Sequence, residues 1–119
     1  MTMQNLDPTT RGFVATWPNA EIRDATGRVV WTLAGYEFLE AEEPAPTVHP
    51  GLWQQARRNM THGLFEVCER IYQVRGFDLA NMTIVEGERG VIVIDPLTCA
   101  ETAAAALKLY REQRGARPV

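Results

Sequence analysis

The chain has 119 residues, 45% hydrophobic and 23% charged, with a formal net charge of −3. Those totals fit one modest globular domain and argue against a disordered chain. The basic residues are scattered, which argues against a nucleic-acid footprint, and no apolar run approaches the ~18 residues of a membrane span.

In chain order, Met1–Pro18 is polar and irregular and is expected to run extended along a surface. Its opening, MTMQNLDPTT, lacks the basic and apolar regions of a secretory signal, so a cytoplasmic setting is expected. In a reducing compartment Cys68 and Cys99 read as free thiols that pack as small hydrophobes. Between Glu21 and Leu39, Asp24-Ala25-Thr26-Gly27 has Asp at the first and Gly at the last position of a turn, and Val29, Val30, Trp31 and Leu33 follow as a strand-like run. A small hairpin is expected there. Glu40–Pro46, EAEEPAP, reads as a stiff, solvated connector, with no visible partner ligands that would make it a metal site.

His49–Met60, HPGLWQQARRNM, predicts a short helix with Pro50 in its first turn and Leu52, Trp53 and Ala56 on one face. Leu64–Arg75, LFEVCERIYQVR, alternates as two strands around Glu69–Arg70, and Gly76-Phe77-Asp78 is a break. Asn81–Glu86 and Val91–Ile94 flank a turn with two glycines and form the strongest hairpin signal. Val91–Ile94 is continuously apolar, which predicts burial on both faces of the sheet. Thr98 and Glu101 fit a capping box, and the helix that follows has an expected apolar stripe of Ala100, Ala103, Ala104, Leu107 and Tyr110. Arg111 and Arg114 suit its C-terminal end, Gly115 suits a stop, and Arg117-Pro118-Val119 points into a new strand. The pattern is half of a β-α-β unit, and the fold class is α+β.

The chemistry-bearing residues are few. There is no serine, no Cys-x-x-Cys, no His-x-His and no His-Glu-x-x-His, and the glycines of the hairpin do not precede a helix as a phosphate or dinucleotide loop would require. Cys68 lies in a strand pattern, where packing is the ordinary role. Asp95 stands at the carboxyl end of an apolar strand, where functional groups are often placed; a brace for the next loop is the plainer reading. His62, in THGLFEV, is the second candidate for support near a site, against an ordinary structural histidine.

HPGLWQQARRN, THGLFEV, IYQVRGFDLANMTIVEG and VIVIDPLT-x-AET resemble the N-terminal part of the bacterial alkyl sulfatases, which have a metallo-β-lactamase fold, and EIRDATGRVVW is similar to that family's N-terminal extension. The likeness runs from about residue 12 onward. It implies a partial αββα sandwich, with its first hairpins and first covering helix. Residues 1–48 would be an extension with a small hairpin, and residues 49–119 the start of the metallo-β-lactamase-like domain. In the family, the residues after ARPV form a strand that ends in a His-x-His-x-Asp-His metal motif. This sequence has no such motif, so the resemblance assigns no catalytic residue, no metal ligand and no cofactor to it; Asp95 would lie beneath the metal-binding loop.

For the complete family enzyme the resemblance implies a homodimer with two zinc ions that supply a hydroxide and hydrolyse an alkyl sulfate to alcohol and sulfate. The expectation is therefore a scaffold segment of such an enzyme, inactive by itself, which would leave apolar sheet surface exposed. The alternative is a non-catalytic interaction module whose sheet edge and face pair with another copy or with a separate metal-bearing chain. A small metal protein using His49, His62, Cys68 and Cys99 is a third reading.

Overall fold

A computed structural model describes residues 8–119, so part of the expected surface stretch at Met1–Pro18 lies outside the described residues. The described part is not all irregular. Phe13–Ala15 forms strand β1, a correction to the sequence reading. Three residues flanked by polar neighbours carry too little periodicity to announce a strand.

The remaining elements are β2 (Ile22–Arg23), β3 (Val29–Trp31), α1 (Pro50–Asn59), β4 (Gly63–Cys68), β5 (Ile71–Arg75), β6 (Met82–Glu86), β7 (Val91–Ile94) and α2 (Ala100–Arg114). A 3-10 segment, Ala34–Glu40, connects β3 toward α1. The expected hairpin at Asp24–Gly27 is present: Gly27 N–H donates to the Asp24 carbonyl at 3.0 Å, and the Asp24 carboxylate accepts from the Thr26 and Arg28 amides.

β4–β7 follow one another in sequence and pair antiparallel, β5 and β6 through the loop 76–81, and β1 adds to the far edge, giving the order β1-β4-β5-β6-β7. Side chains alternate across this sheet. The register pairs Tyr72 with Ile84 and Val74 with Met82, and Ile84 with Val93, so these residues share a face. α2 covers that face with Ala105, Ala106, Leu109 and Tyr110, and Ala20, Ile22 and Leu33 from the N-terminal portion join the same core. Ala15, Trp17 and Trp31 pack against that core from the same portion. Each large apolar side chain so buried contributes roughly 1.5–3 kcal/mol.

Several expectations need correction here. α2 buries Thr102, Ala105, Ala106, Leu109 and Tyr110; Ala100 and Ala104 are exposed, and the expected stripe is rotated about the helix axis. An alanine-rich helix offers little contrast between faces, so its orientation is set by Leu109 and Tyr110. The capping box is absent. Cys99 occupies the cap position without a side-chain bond to a helix amide, and the Thr98 hydroxyl donates to Asp78. In α1, Trp53 is buried but Leu52 is 64% exposed. Val91–Ile94 is not buried on both faces: Val91 is buried, whereas Ile92 and Ile94 are 64% and 54% exposed. They lie on the sheet face opposite α2, with Ile71 and Val85 in the same cross-strand row as Ile92.

Candidate functional site

The antiparallel register places the start of β4, the end of β5, the start of β6 and the end of β7 at one end of the sheet. Gly63 pairs with Arg75, Val74 with Met82, and Thr83 with Ile94. His62, the loop 76–81 and the loop 95–99 therefore converge there, and both residues singled out from the sequence lie at this end.

Asp95 is exposed, and its Oδ1 accepts from the Leu97 amide at 3.3 Å. Its φ is +58°, a left-handed conformation that aspartate tolerates; Leu97, at φ +75°, has no such excuse. A strained loop directly after a strand is an arrangement common at functional sites. His62 is half-buried, and its Nδ1 shares a 2.5 Å hydrogen bond with the Thr16 hydroxyl. Burial pushes its pKa below the usual 6.5, which favours the neutral ring. A side chain at Gly76 would collide with the His62 Cβ, so the close approach of these two segments requires glycine. Arg75 stacks its guanidinium 4.4 Å from the Phe65 ring centre, and its Nε donates to Gln73 Oε1 at 2.7 Å.

The residue that ties this end together was not legible as a site residue: Asp78, inside the Gly76-Phe77-Asp78 break, is buried. Its Oδ1 accepts from the Leu79 amide at 2.5 Å, and its Oδ2 accepts from the Thr98 amide at 3.0 Å and from the Thr98 and Thr102 hydroxyls at 2.6 Å each. Burial opposes ionisation, but the Thr102 and Thr98 hydroxyls and the two amides outweigh it and hold the carboxyl at about 2. Asp78 thus braces the 95–99 loop at Thr98, beside the Asp95 bond to Leu97. The available signal was Thr98 and Thr102, four residues apart across a helix start, which can aim two hydroxyls at one acceptor.

A second buried carboxylate, Glu86, was also missed. Its phase in β6 matches Met82 and Ile84, so it points inward. It accepts from Tyr110 Oη at 2.5 Å and from both Arg114 Nε and Nη2, and it pairs with Arg117. Arg114 first, and then Tyr110 and Arg117, overcome burial and hold it at about 2. An inward-phase glutamate on a buried strand requires cationic partners, and Arg114 was the visible one.

A groove of about 380 Å³ opens between the 3-10 segment, α1 and the loop 76–81, lined by Leu33, Tyr36, Leu39, Met60 and Leu79. Neither Asp95 nor His62 lines it. The four residues of the small-metal-protein reading are not brought together. His49 caps α1 by accepting from the Gly51 amide, His62 binds Thr16, Cys68 is exposed in β4, and Cys99 caps α2. Among the described residues no group of three His, Cys, Asp or Glu side chains could hold a metal ion. The donors among the described residues do not fit a zinc site. No helix among the described residues is long and apolar enough to cross a membrane.

The described residues thus form a sheet with one helix-covered and one open apolar face and two braced loops at one end. Homologues of this chain at 45–50% identity are alkylsulfatases, and the chain corresponds to a portion of them. An (R)-specific secondary-alkylsulfatase of Pseudomonas sp. is 50% identical over 109 residues, which is 92% of this chain and 16% of that protein. The alkyl/aryl-sulfatase BDS1 of Saccharomyces cerevisiae is 45% identical over 116 residues, 98% of this chain and 18% of that one. The solved structure of the stereoselective inverting sec-alkylsulfatase Pisa1 of Pseudomonas sp. matches with a TM-score of 0.87 at 50% identity, over 93% of this chain and 17% of that chain. The chain spans about one-sixth of the length of these relatives. No family model matches it. The likeness is not confined to bacterial proteins, since one relative is from yeast.

Proposed function

We propose that this chain is the N-terminal scaffold segment of a zinc-dependent alkyl sulfatase, which hydrolyses alkyl sulfate esters to alcohol and inorganic sulfate. The observation that carries the reading is the 45–50% identity to alkylsulfatases over more than nine-tenths of the chain. The structure adds support: Ile92 and Ile94 stand exposed on the face away from α2, as the first half of a metallo-β-lactamase-type sandwich would leave them. On this reading the metal ligands come from the much larger part of the relatives that this chain does not match. The chain alone is inactive. Asp95 and His62 support the loops next to the site, Asp78 braces the 95–99 loop from below, and the complete enzyme is a homodimer.

Complementation tests this. The chain is co-expressed with a Pseudomonas alkylsulfatase from which the matching segment has been deleted, and sulfate release from octyl sulfate is measured. The expected result is hydrolysis by the co-purified pair and none by either piece with zinc. Hydrolysis by the 119-residue chain alone, above a zinc-only blank, would overturn the scaffold reading. Co-purification without activity would favour the interaction module.

A further inference from the structure

The groove between the 3-10 segment, α1 and the loop 76–81 joins an apolar floor to an unpaired cation. Its volume of about 380 Å³ falls within the roughly 300–1,000 Å³ of small-molecule sites. Leu33 and Leu39 line it and are themselves buried. Met60, whose unbranched thioether adapts to the shape of what it meets, lies with them. Leu79 stands at the mouth. It is 87% exposed although its amide is held by the Asp78 carboxylate, so a braced loop presents a leucine to solvent. A second opening of about 290 Å³ shares Leu33, Leu39 and Met60, so the apolar floor continues from one to the other.

Arg75 lines the first opening. Its Nε is committed to Gln73 Oε1 and its guanidinium stacks on Phe65, while its two terminal nitrogens have no hydrogen-bond or ion-pair partner among the described residues. Burial alone acts on its pKa, downward, and no carboxylate offsets that cost. Asp78 is the one carboxylate lining this opening, and its oxygens are occupied by donors from Leu79, Thr98 and Thr102. A partly desolvated guanidinium without a counter-anion, beside an apolar floor, is complementary to an anion that carries a hydrocarbon chain. Its free N–H pair matches two oxygens of a tetrahedral oxyanion. The second opening is lined by Glu37 and Glu40 with Arg57, so an anionic head group belongs at the Arg75 end.

We propose that this groove binds an alkyl sulfate, with the hydrocarbon chain along Leu33, Leu39, Met60 and Leu79 and the sulfate on Arg75. The choice of sulfate among anionic head groups rests on the alkylsulfatase reading; the apolar floor and the unpaired cation are properties of this chain. Each methylene that leaves water on binding raises affinity by roughly fourfold. Leu79 is the residue with most to gain, because the chain covers a side chain that the fold leaves in solvent.

The test is NMR of the methionine methyl groups of the 119-residue chain, titrated with octyl sulfate below its micelle concentration. Met60 lines the groove, and Met82, 2% exposed in the sheet core, reports any loss of fold. The Met60 signal is expected to shift saturably while Met82 stays in place, and decyl sulfate should bind about tenfold tighter. Arg75→Gln should weaken octyl sulfate at least fivefold and leave octanol binding unchanged. Leu79→Ser, a change at an exposed position, should weaken both ligands severalfold, and it decides the matter if Arg75→Gln does not fold. Three results overturn the proposal: no saturable shift at Met60; Met82 moving together with Met60, as general unfolding by a surfactant would give; or octyltrimethylammonium bound as tightly as octyl sulfate, which would leave Arg75 without a role. Complementation reads activity and this titration reads binding, so the two fail separately. Failed complementation with a saturable Met60 shift would sink the alkylsulfatase reading alone, and successful complementation with an unmoved Met60 would sink this site alone.

Discussion

Asp78 Oδ2 and Thr102 Oγ1 meet at 2.6 Å in a buried contact between residues 24 apart in the chain. The bond joins the 76–81 loop to the first turn of α2, and with the two Thr98 bonds it fixes the loop that carries Asp95. Removing the carboxylate strands the buried Thr102 hydroxyl and three part-buried donors at once, and a buried donor costs about 1–3 kcal/mol when left unpaired. Asp78→Ala is expected to lower unfolding stability by at least about 3 kcal/mol, and Thr102→Val by about 1 kcal/mol, in urea titrations. Near-equal losses would show that Thr102 alone carries the contact.

Acid should unfold this chain by a route its carboxylates define. Unfolded, Asp78 and Glu86 take up protons near 3.8 and 4.5; folded, both wait until about 2. Their contribution is complete above pH 5 and is lost as the pH falls toward 2. At about 1.4 kcal/mol per pKa unit, each contributes on the order of 2–4 kcal/mol, Glu86 the more. His62 acts in the same direction at higher pH, because burial lowers its pKa below 6.5 and its protonation therefore favours the unfolded chain. Thermal midpoints measured from pH 7 to pH 3 should fall throughout, and Glu86→Gln should flatten the slope below pH 5. A parent slope that is flat across that interval would contradict the paired state of both carboxylates.

The hairpins were legible because β-rich runs flanked turn residues: Asp24–Gly27, Glu69–Arg70 and Gly87–Gly90 each mark their turn. Helix boundaries were legible from Pro50 and Gly115. What the sequence hid was direction. Ala103 and Ala106 are the same residue type, and the tertiary positions of Leu109 and Tyr110 decide that Ala106 is the one fully buried while Ala103 packs at the margin. Val91–Ile94 suggested two covered faces because composition reports what a strand is built for, not what this chain places on it. Asp78 was hidden because a loop aspartate ordinarily caps its own turn, and nothing local announces that its partners lie 20 and 24 residues onward.

Ile92 and Ile94 are expected to govern association of the chain in solution. Both point away from α2, and exposed apolar rows of this kind drive association. The double variant Ile92→Thr, Ile94→Thr removes that surface without touching the α2 core and keeps β-branched residues in the strand. It should lower binding of a hydrophobic dye severalfold and reduce aggregation in light scattering, with stability changed by less than about 0.5 kcal/mol. If the variant instead loses several kcal/mol, the face is covered in the chain as it exists in solution.

Gly63 and Gly27 make a matched pair for the last prediction. Both have positive φ, +131° and +87°, so alanine is strained at either. The surroundings differ. An added Cβ at Gly27 meets nothing within 4 Å, whereas at Gly63 it would strike the Ala15 carbonyl and the Thr16 side chain. Ala15 pairs with Leu64 in the β1–β4 ladder, and Thr16 holds His62, so the clash acts on the join between the N-terminal portion and the sheet. Gly27→Ala should cost about 1 kcal/mol, from backbone strain alone. Gly63→Ala should cost more than about 2 kcal/mol and should raise the His62 titration midpoint toward its ordinary value as the histidine is uncovered. NMR titration of His62 in the two variants separates the effects: a shift in Gly27→Ala, or none in Gly63→Ala, would show that β1 does not bury His62.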